Sequence, residues 1–512
     1  MNGSIVTQVF GDNADSIASR IARRDHTLWS ESPDEVTNRL GWLDIASRMR
    51  WEVDDLMSVA DGVKADGFTN AVLLGMGGSS LGPEVLRRSI GSAEGYPTLR
   101  VIDSTSPEVI ISLRAKLDLA KTLFIVSSKS GSTIEPNALY SYFRAELEAI
   151  VGDMAGSHFV AVTDSGSSLE ALGARAGFRR VFIADPNIGG RYAVLSHFGL
   201  VPAAIAGMDI GRLLDSAIAV EQQLQPGSDV HESLAWRIAA EIVLASRNGR
   251  DKVTIVEDVH SSGFGLWAEQ LLAESLGKEG KGVVPIANEP ELSEDAYGAD
   301  RLMAHISPAD SASDIPSIDS SITDPYELGG LFLAWEYATA LLGVEFGVQP
   351  FDQPNVQAAK DATDRVLAEQ NREPLTSAGS LSELLEQRHD GDYLVIMAFV
   401  PETDETSAVL SDLRRQVSER TGLATTLGYG PRFLHSTGQL HKGGPNTILA
   451  FQITQDHEGN PHIPGKEFGF ADLIDAQAAG DFDALTSAGR RVARAHLTGN
   501  VVDQLREIVD SI

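Results

Sequence analysis

The chain has 512 residues, 43% hydrophobic and 22% charged, a balance that fits a soluble globular protein large enough for two or three domains. Its formal charge of −31 excludes a surface built for nucleic acid or anionic membrane, and zero cysteines exclude disulfides, thiolate chemistry and cysteine-held zinc or iron–sulfur groups. No apolar run reaches the roughly 18 residues of a membrane span, and the polar N-terminus has no signal-like segment, so a cytoplasmic location is expected.

Residues 1–60 read as a helical lead-in, with helices predicted over Ala14–Arg23 and Pro33–Leu43 and with Trp29, Trp42 and Trp51 as packing anchors. From 61 to 210, short apolar runs near 71–74, 99–103, 122–127, 158–163 and 180–183 alternate with helical stretches, the rhythm of βαβ units and a parallel sheet. Ligands of such sheets bind at the carboxyl ends of the strands, and two of those ends carry unusual turns. Ala71–Leu74 opens into Gly75-Met-Gly-Gly-Ser-Ser80, with Pro83 placed for a first helical turn. Phe124–Val126 opens into Ser127-Ser-Lys-Ser-Gly-Ser-Thr133 before a helix expected from about Pro136.

A phosphate dianion needs several short hydrogen-bond donors and a positive field, and a hydroxyl-rich strand-to-helix junction supplies both. Ser128, Ser130, Ser132 and Thr133 offer hydroxyls, and Gly131 allows close backbone approach. No Gly-Lys-Ser/Thr follows at Walker spacing, and Gly75, Gly77 and Gly78 are too crowded for a dinucleotide fingerprint, although Asp103 stands where a ribose-binding acid could. The next strand end carries Asn187-Ile-Gly-Gly-Arg-Tyr192, whose Arg191 suits either an oxyanion or a loop-closing carboxylate.

Residues 211–365 repeat the α/β pattern, with strands near 252–257, 282–287 and 301–306 and a helix at 327–342 apolar on nearly every face, hence buried between layers. Ser307–Asp319 reads as a loop or linker. Glu269, Glu274 and Lys278, on or beside a helix at Leu266–Leu276, read equally well as solvated charge, and spacing alone does not choose a base among them. Residues 366–512 form a small α/β extension: a polar helix, strand 393–400, helix 405–420, strands 423–428 and 446–454, helices 469–479 and 484–496, and a final turn at 501–511. His435 and His441 lie between two of these strands among hydroxyls and glycines; their spacing, with no carboxylate between them, is poor for a metal, and no metal or cofactor is expected.

In combination and in order, Gly75–Pro83, Ser127–Glu135, Gly189-Gly-Arg-Tyr192, Ala273-Glu-Ser-Leu-Gly-Lys278 and Phe351-Asp-Gln-Pro354 leading to Lys360 resemble the glucose-6-phosphate isomerase family. That resemblance implies an α/β fold of two SIS-type (sugar-isomerase) domains with parallel sheets flanked by helices, plus the small C-terminal α/β extension. It implies cofactor-free interconversion of glucose 6-phosphate and fructose 6-phosphate through a cis-enediol, with Glu274 as the base and Arg191, accompanied by Gly190, stabilising the intermediate. Ser128, Ser130 and Thr133 align with the phosphate cradle, Lys129 lies beside it, and Gly78, Ser79 and Gln353 match further substrate contacts. Lys360 is linked to ring opening. The ring-opening histidine, which the family usually places between the base and the Phe-Asp-Gln segment, is matched here by His435 in the extension, with His441 in reserve.

His26-Thr-Leu-Trp29 and the extension further resemble the isomerase half of bifunctional transaldolase/glucose-6-phosphate isomerase proteins; the transaldolase half is not found in this sequence, and a functional link to a separate transaldolase and a fused arrangement both stay open. A small-molecule sugar phosphate is the expected partner, and homodimer and monomer both stay open. The hydroxyl-rich turn also suits a SIS-type sugar-phosphate sensor or an isomerase of another sugar phosphate.

Overall fold

The structure is a computed structural model that describes residues 4–307, 315–355, 363, 365–367 and 374–512. Strands β1 (Asn70–Leu74), β2 (Thr98–Ile102), β3 (Thr122–Ser127), β4 (Phe159–Asp164) and β5 (Arg180–Ala184) form a parallel sheet in the order β2-β1-β3-β4-β5. Successive side chains alternate between two apolar cores: Ala71, Leu73, Leu123 and Ile125 enter one, and Val72, Leu74, Phe124 and Val126 enter the other. Burial on both faces explains why these strands read as continuous apolar runs. Chain order reverses between β1 and β3, which pair in register from Asn70↔Thr122 to Leu74↔Val126. Such a switch point leaves a crevice beyond the carboxyl ends of the two strands, so both glycine/serine turns open into one place.

A second parallel sheet has the order β7-β6-β8-β9, from β6 (Lys252–Val256), β7 (Val284–Ile286), β8 (Arg301–His305) and β9 (Ser317–Asp319). The helix Leu328–Phe346 is buried from Leu328 to Gly343, as its all-round apolarity predicts. It crosses the helix Ile210–Gln223 so closely that a Cβ on Gly329 would sit 1.9 Å from the Leu213 carbonyl oxygen; only glycine permits that crossing.

The extension holds a third parallel sheet, β10 (Tyr393–Ala398), β11 (Ala424–Tyr429), β12 (Ile448–Gln455) and β13 (Arg491–Leu497), in the order β11-β10-β12-β13. One face closes its own core; the other packs on Ala273, Val284 and Ile286 of the second sheet's unit. Ile463, Phe470 and Leu473 join the core on one face of the first sheet. The extension therefore covers both other sheets. Arg432 fixes it with two 2.8 Å hydrogen bonds to Asp103, which is thereby engaged as a docking group where a ribose acid was considered.

Several local expectations are corrected. Residues 484–496 are not a separate helix: the preceding helix runs unbroken from Phe470 to Ser487, and Arg491–Leu497 becomes β13 because hydrogen bonding to β12 overrides a sequence that suits either state. The final segment is a helix, Val501–Asp510. Pro33–Leu43 forms turns and a 3-10 helix at Gly41–Asp44, and Ser307–Asp319 ends in β9, with residues 308–314 outside those described. The polar helix expected from 366 falls mostly outside them too. Trp29 and Trp42 are buried anchors, but Trp51 is 90% exposed. It lies in a 3-10 turn, Arg50–Glu52, that breaks helical phase, so the core positions pass from Met49 to Leu56 and Ala60.

Arg432→Met would leave the buried Asp103 carboxylate without its cation and should cost about 3 kcal/mol in urea unfolding. Adding Asp103→Asn should recover more than half of that loss.

Candidate active site

The phosphate-style turn after β3 is internally wired. Ser128 Oγ accepts from the Gly131 amide at 3.2 Å and donates to Thr133 Oγ1 at 3.3 Å, and Ser130 and Ser132 hydroxyls lie 2.9 Å apart. Gly131 has φ +69°, a left-handed conformation that glycine adopts freely. Thr133 caps the eighteen-residue helix Ile134–Val151, whose free amides and dipole favour an anion at this end. Lys129 Nζ is committed to Asp164 at 2.5 Å and to the Pro186 carbonyl at 3.2 Å, which places its charge at the rim of the turn.

The turn after β1, Gly77–Ser79, packs against Gly190–Tyr192. A Cβ on Gly78 would sit 2.0 Å from the Gly190 carbonyl oxygen, and one on Gly77 would sit 2.5 Å from that of His435. Three chain segments far apart in sequence thus meet at glycine backbone. Arg191, 3% exposed, donates from Nε to Ser275 Oγ (2.8 Å), from Nη1 to Gln353 Oε1 (2.9 Å), and from Nη2 to the carbonyls of Pro350 (2.7 Å) and Asp352 (2.9 Å). Its Nη1 lies 3.7 Å from Glu274 Oε1.

Glu274 comes from the helix Phe264–Leu276, in which every residue except Leu266 is buried, so the reading of Glu269, Glu274 and Lys278 as solvated charge is corrected for all three. Position in the helix separates them. Glu269 accepts from the Ala287 amide at 2.8 Å, and burial pushes its pKa up to about 7. Lys278 Nζ is held by the Gln349 and Asp352 carbonyls at 2.7 Å and by Asp352 Oδ1 at 2.5 Å; burial, then the Arg191 charge, pulls its pKa down to about 8. Of the two carboxylates, Glu274 is the one beside Arg191. Burial raises its carboxyl above the ordinary range, against Arg191, a 3.0 Å hydrogen bond from Gln270 Nε2, His435 and Lys278, which favour the ionised form.

His435 sits within the same chain's site. Its Nε2 lies 2.8 Å from Glu135 Oε1, and its carbonyl accepts from Gln270 Nε2 at 2.8 Å. His441 is sealed beneath Phe433, and its Nδ1 has no hydrogen-bond partner among the described residues. Burial, Lys442 and Arg490 hold its pKa well below the usual histidine value. Gly78, Ser79, Gly190, Arg191, Glu274, Gln353 and His435 are therefore brought together, and the helix of Glu135 links them to Ser128–Thr133. Lys360 lies outside the described residues. Glu135, Gln270 and Ser275 were not singled out by sequence, although Glu135 closes the hydroxyl motif and Ser275 follows the candidate base. Among the described residues no group of three His, Asp or Glu side chains could hold a metal, and no described helix is long and apolar enough to cross a membrane.

The fold is of the SIS type, and a buried carboxylate–guanidinium pair lies in its crevice near an anion-ready helix end. Residues 12–234 match the phosphoglucose isomerase family model. A glucose-6-phosphate isomerase of Rubrobacter xylanophilus is 27% identical over 379 residues, 62% of this chain and 86% of that protein. One from Mycoplasmopsis pulmonis is 27% identical over 387 residues, 64% and 90% of the two chains. In fold, the crystal structure of a glucose-6-phosphate isomerase from Chlamydia trachomatis aligns with a TM-score of 0.56 at 17% identity, over 70% of this chain and 84% of that one. Over residues 12–234 the chain is thus similar to the phosphoglucose isomerase family.

Gly78→Ala would force the two turns apart and should cost about 2 kcal/mol, the scale of overpacking a filled site. A fall in the thermal unfolding midpoint checks this.

Proposed function

We propose that this protein interconverts glucose 6-phosphate and fructose 6-phosphate through a cis-enediol, with Glu274 as the base. The observation that carries this reading is the Glu274–Arg191 pair at 3.7 Å, buried at the crevice that the hydroxyl-rich turn also borders. An enediol mechanism needs a carboxylate to move one proton between adjacent carbons and a fixed cation for the oxygen charge that develops.

Ser128, Ser130 and Thr133, with the helix amides behind them, hold the phosphate, with Lys129 at the edge, and Ser79, Gly78, Gly190 and Gln353 position the sugar. His435, as imidazolium, gives its Nδ1 proton to the ring oxygen while the anomeric hydroxyl passes its own to water, so the C–O ring bond breaks and the carbonyl forms. The Glu135 carboxylate can only accept, so it keeps a proton on Nε2 and leaves Nδ1 for substrate. Lys360, by resemblance, assists that step. Glu274 then removes the C2 proton of the open-chain aldose, Arg191 stabilises the enediolate, a proton passes from O2 to O1, and the Glu274 carboxylic acid returns its proton to C1 as the C2 carbonyl forms. Binding the phosphate away from the reacting carbons supplies orientation for the transfer.

Glu274→Gln should lower the rate of glucose 6-phosphate formation from fructose 6-phosphate by about 10³-fold with KM little changed, in a coupled assay. Near-full activity in that variant would refute the base assignment. Inactive wild type that still binds sugar phosphate would mark a sensor, and preference for another sugar phosphate would redirect the substrate.

The same chemistry sets a pH dependence. Glu274 works ionised and burial raises its pKa, so kcat/KM should fall on acidification at a higher pH than an ordinary carboxylate of pKa 4.5 would dictate. Arg191 favours the ionised form, so Arg191→Gln should move that limb further up in pH as well as lower the plateau. A pH–rate profile of both proteins checks the order.

A further inference from the structure

We infer that Gln477, on the helix Phe470–Ser487 of the C-terminal extension, is a positioning residue for His435. This deepens the function proposed above and rests on that reading. Gln477 Nε2 donates at 2.7 Å to Glu135 Oε1, the same oxygen that lies 2.8 Å from His435 Nε2. Gln477 Oε1 in turn accepts from Thr105 Oγ1 at 2.7 Å. Thr105 and Gln477 are 0% and 2% exposed, so neither bond competes freely with water.

The result is a chain, Thr105–Gln477–Glu135–His435, that begins beyond β2 and returns through the extension twice. Its polarity is fixed. The threonine hydroxyl can donate to the amide oxygen, which orients the amide so that its NH₂ faces Glu135. Two donors converging on Oε1 fix the carboxylate's rotation, and that oxygen sets the imidazole's tilt and keeps the proton on Nε2. Without the amide one of the two donors on Oε1 is lost, and the orientation of the imidazole's acceptor is less tightly defined. An apolar side chain in its place would also leave the Thr105 hydroxyl buried without this acceptor.

The consequence is specific to one step. Gln477 bonds Thr105 and Glu135, whereas Glu274 is held by Gln270 and Arg191, so loss of Gln477 should affect ring opening and spare proton transfer on open-chain sugar. Gln477→Met keeps length and volume while removing both hydrogen bonds. It should lower kcat on ring-closed fructose 6-phosphate about tenfold or more with KM nearly unchanged. The rate on 5-deoxyfructose 6-phosphate, which lacks the hydroxyl that closes the ring, should stay at wild-type level. Thr105→Val should shift the ratio of the two rates in the same direction by a smaller factor, and it carries the test if Gln477→Met does not fold.

A second readout does not depend on turnover. Nitrogen-15 NMR of the His435 ring should show a single Nε2–H tautomer in wild type at alkaline pH and a mixture in Gln477→Met. Equal losses on both substrates, or an unchanged ratio, or an unchanged His435 tautomer would overturn the assignment. Failure of the isomerase reading itself is distinguished by wild type that turns over neither substrate; under that reading Glu274→Gln should lower the rate on both substrates by about 10³-fold while His435 keeps its single Nε2–H tautomer.

Discussion

A guanidinium sealed from water must direct its N–H groups at fixed acceptors, and much of this site follows from where Arg191 finds them. Four of its five N–H groups go to Ser275, Gln353 and the carbonyls of Pro350 and Asp352. The remaining one belongs to Nη1, the nitrogen 3.7 Å from Glu274. Arg191 thereby ties the end of the first sheet to the helix of Glu274 and to the 350–353 turn. Lys278, one helical turn beyond Glu274, fastens that turn from the other side. Burial raises Glu274's pKa, and the adjacent cation limits the rise, so the carboxyl is more basic than a solvated one yet still has a reason to ionise.

The glycine contacts have the same consequence on the backbone. Gly78 lets the turns after β1 and before the Arg191 segment touch, and Gly77 lets the extension bring the His435 carbonyl against the first of them. Gln270 then joins His435 to Glu274 through one amide that donates to both. The ring-opening candidate and the base candidate are therefore coupled through a rigid element, although one belongs to the extension and the other to the second sheet's unit.

The extension's three-way packing explains how a histidine so late in the chain reaches this place. Arg432 pairs with Asp103, Phe470 and Leu473 enter the core under the first sheet, and Ile448 and Ala450 share a core with Ala273. These contacts fix the segment 432–443 over the crevice before any substrate is present. A docked domain with buried ionic and apolar contacts on both neighbours has little freedom to swing, so His435 is held within its own chain's site.

The sequence by itself determined the alternation of strands and helices in both SIS-type units, because strands buried on both faces and a helix buried on all faces leave unmistakable apolar runs. It also determined the hydroxyl-rich turn, since glycine and short hydroxyl side chains at a strand-to-helix junction act through local geometry. It misjudged Trp51 and residues 484–496, where a phase break and pairing with β12 override local preference. Only the tertiary structure decided which acidic residue of Phe264–Leu276 meets a guanidinium, that His435 rather than His441 reaches the crevice, and that Glu135 and Gln477 stand behind it. Each of those choices depends on contacts between residues 80 or more positions apart, made by side chains whose types are common and whose spacing carries no period. Periodicity records which face of an element is buried; it does not record what that face is buried against.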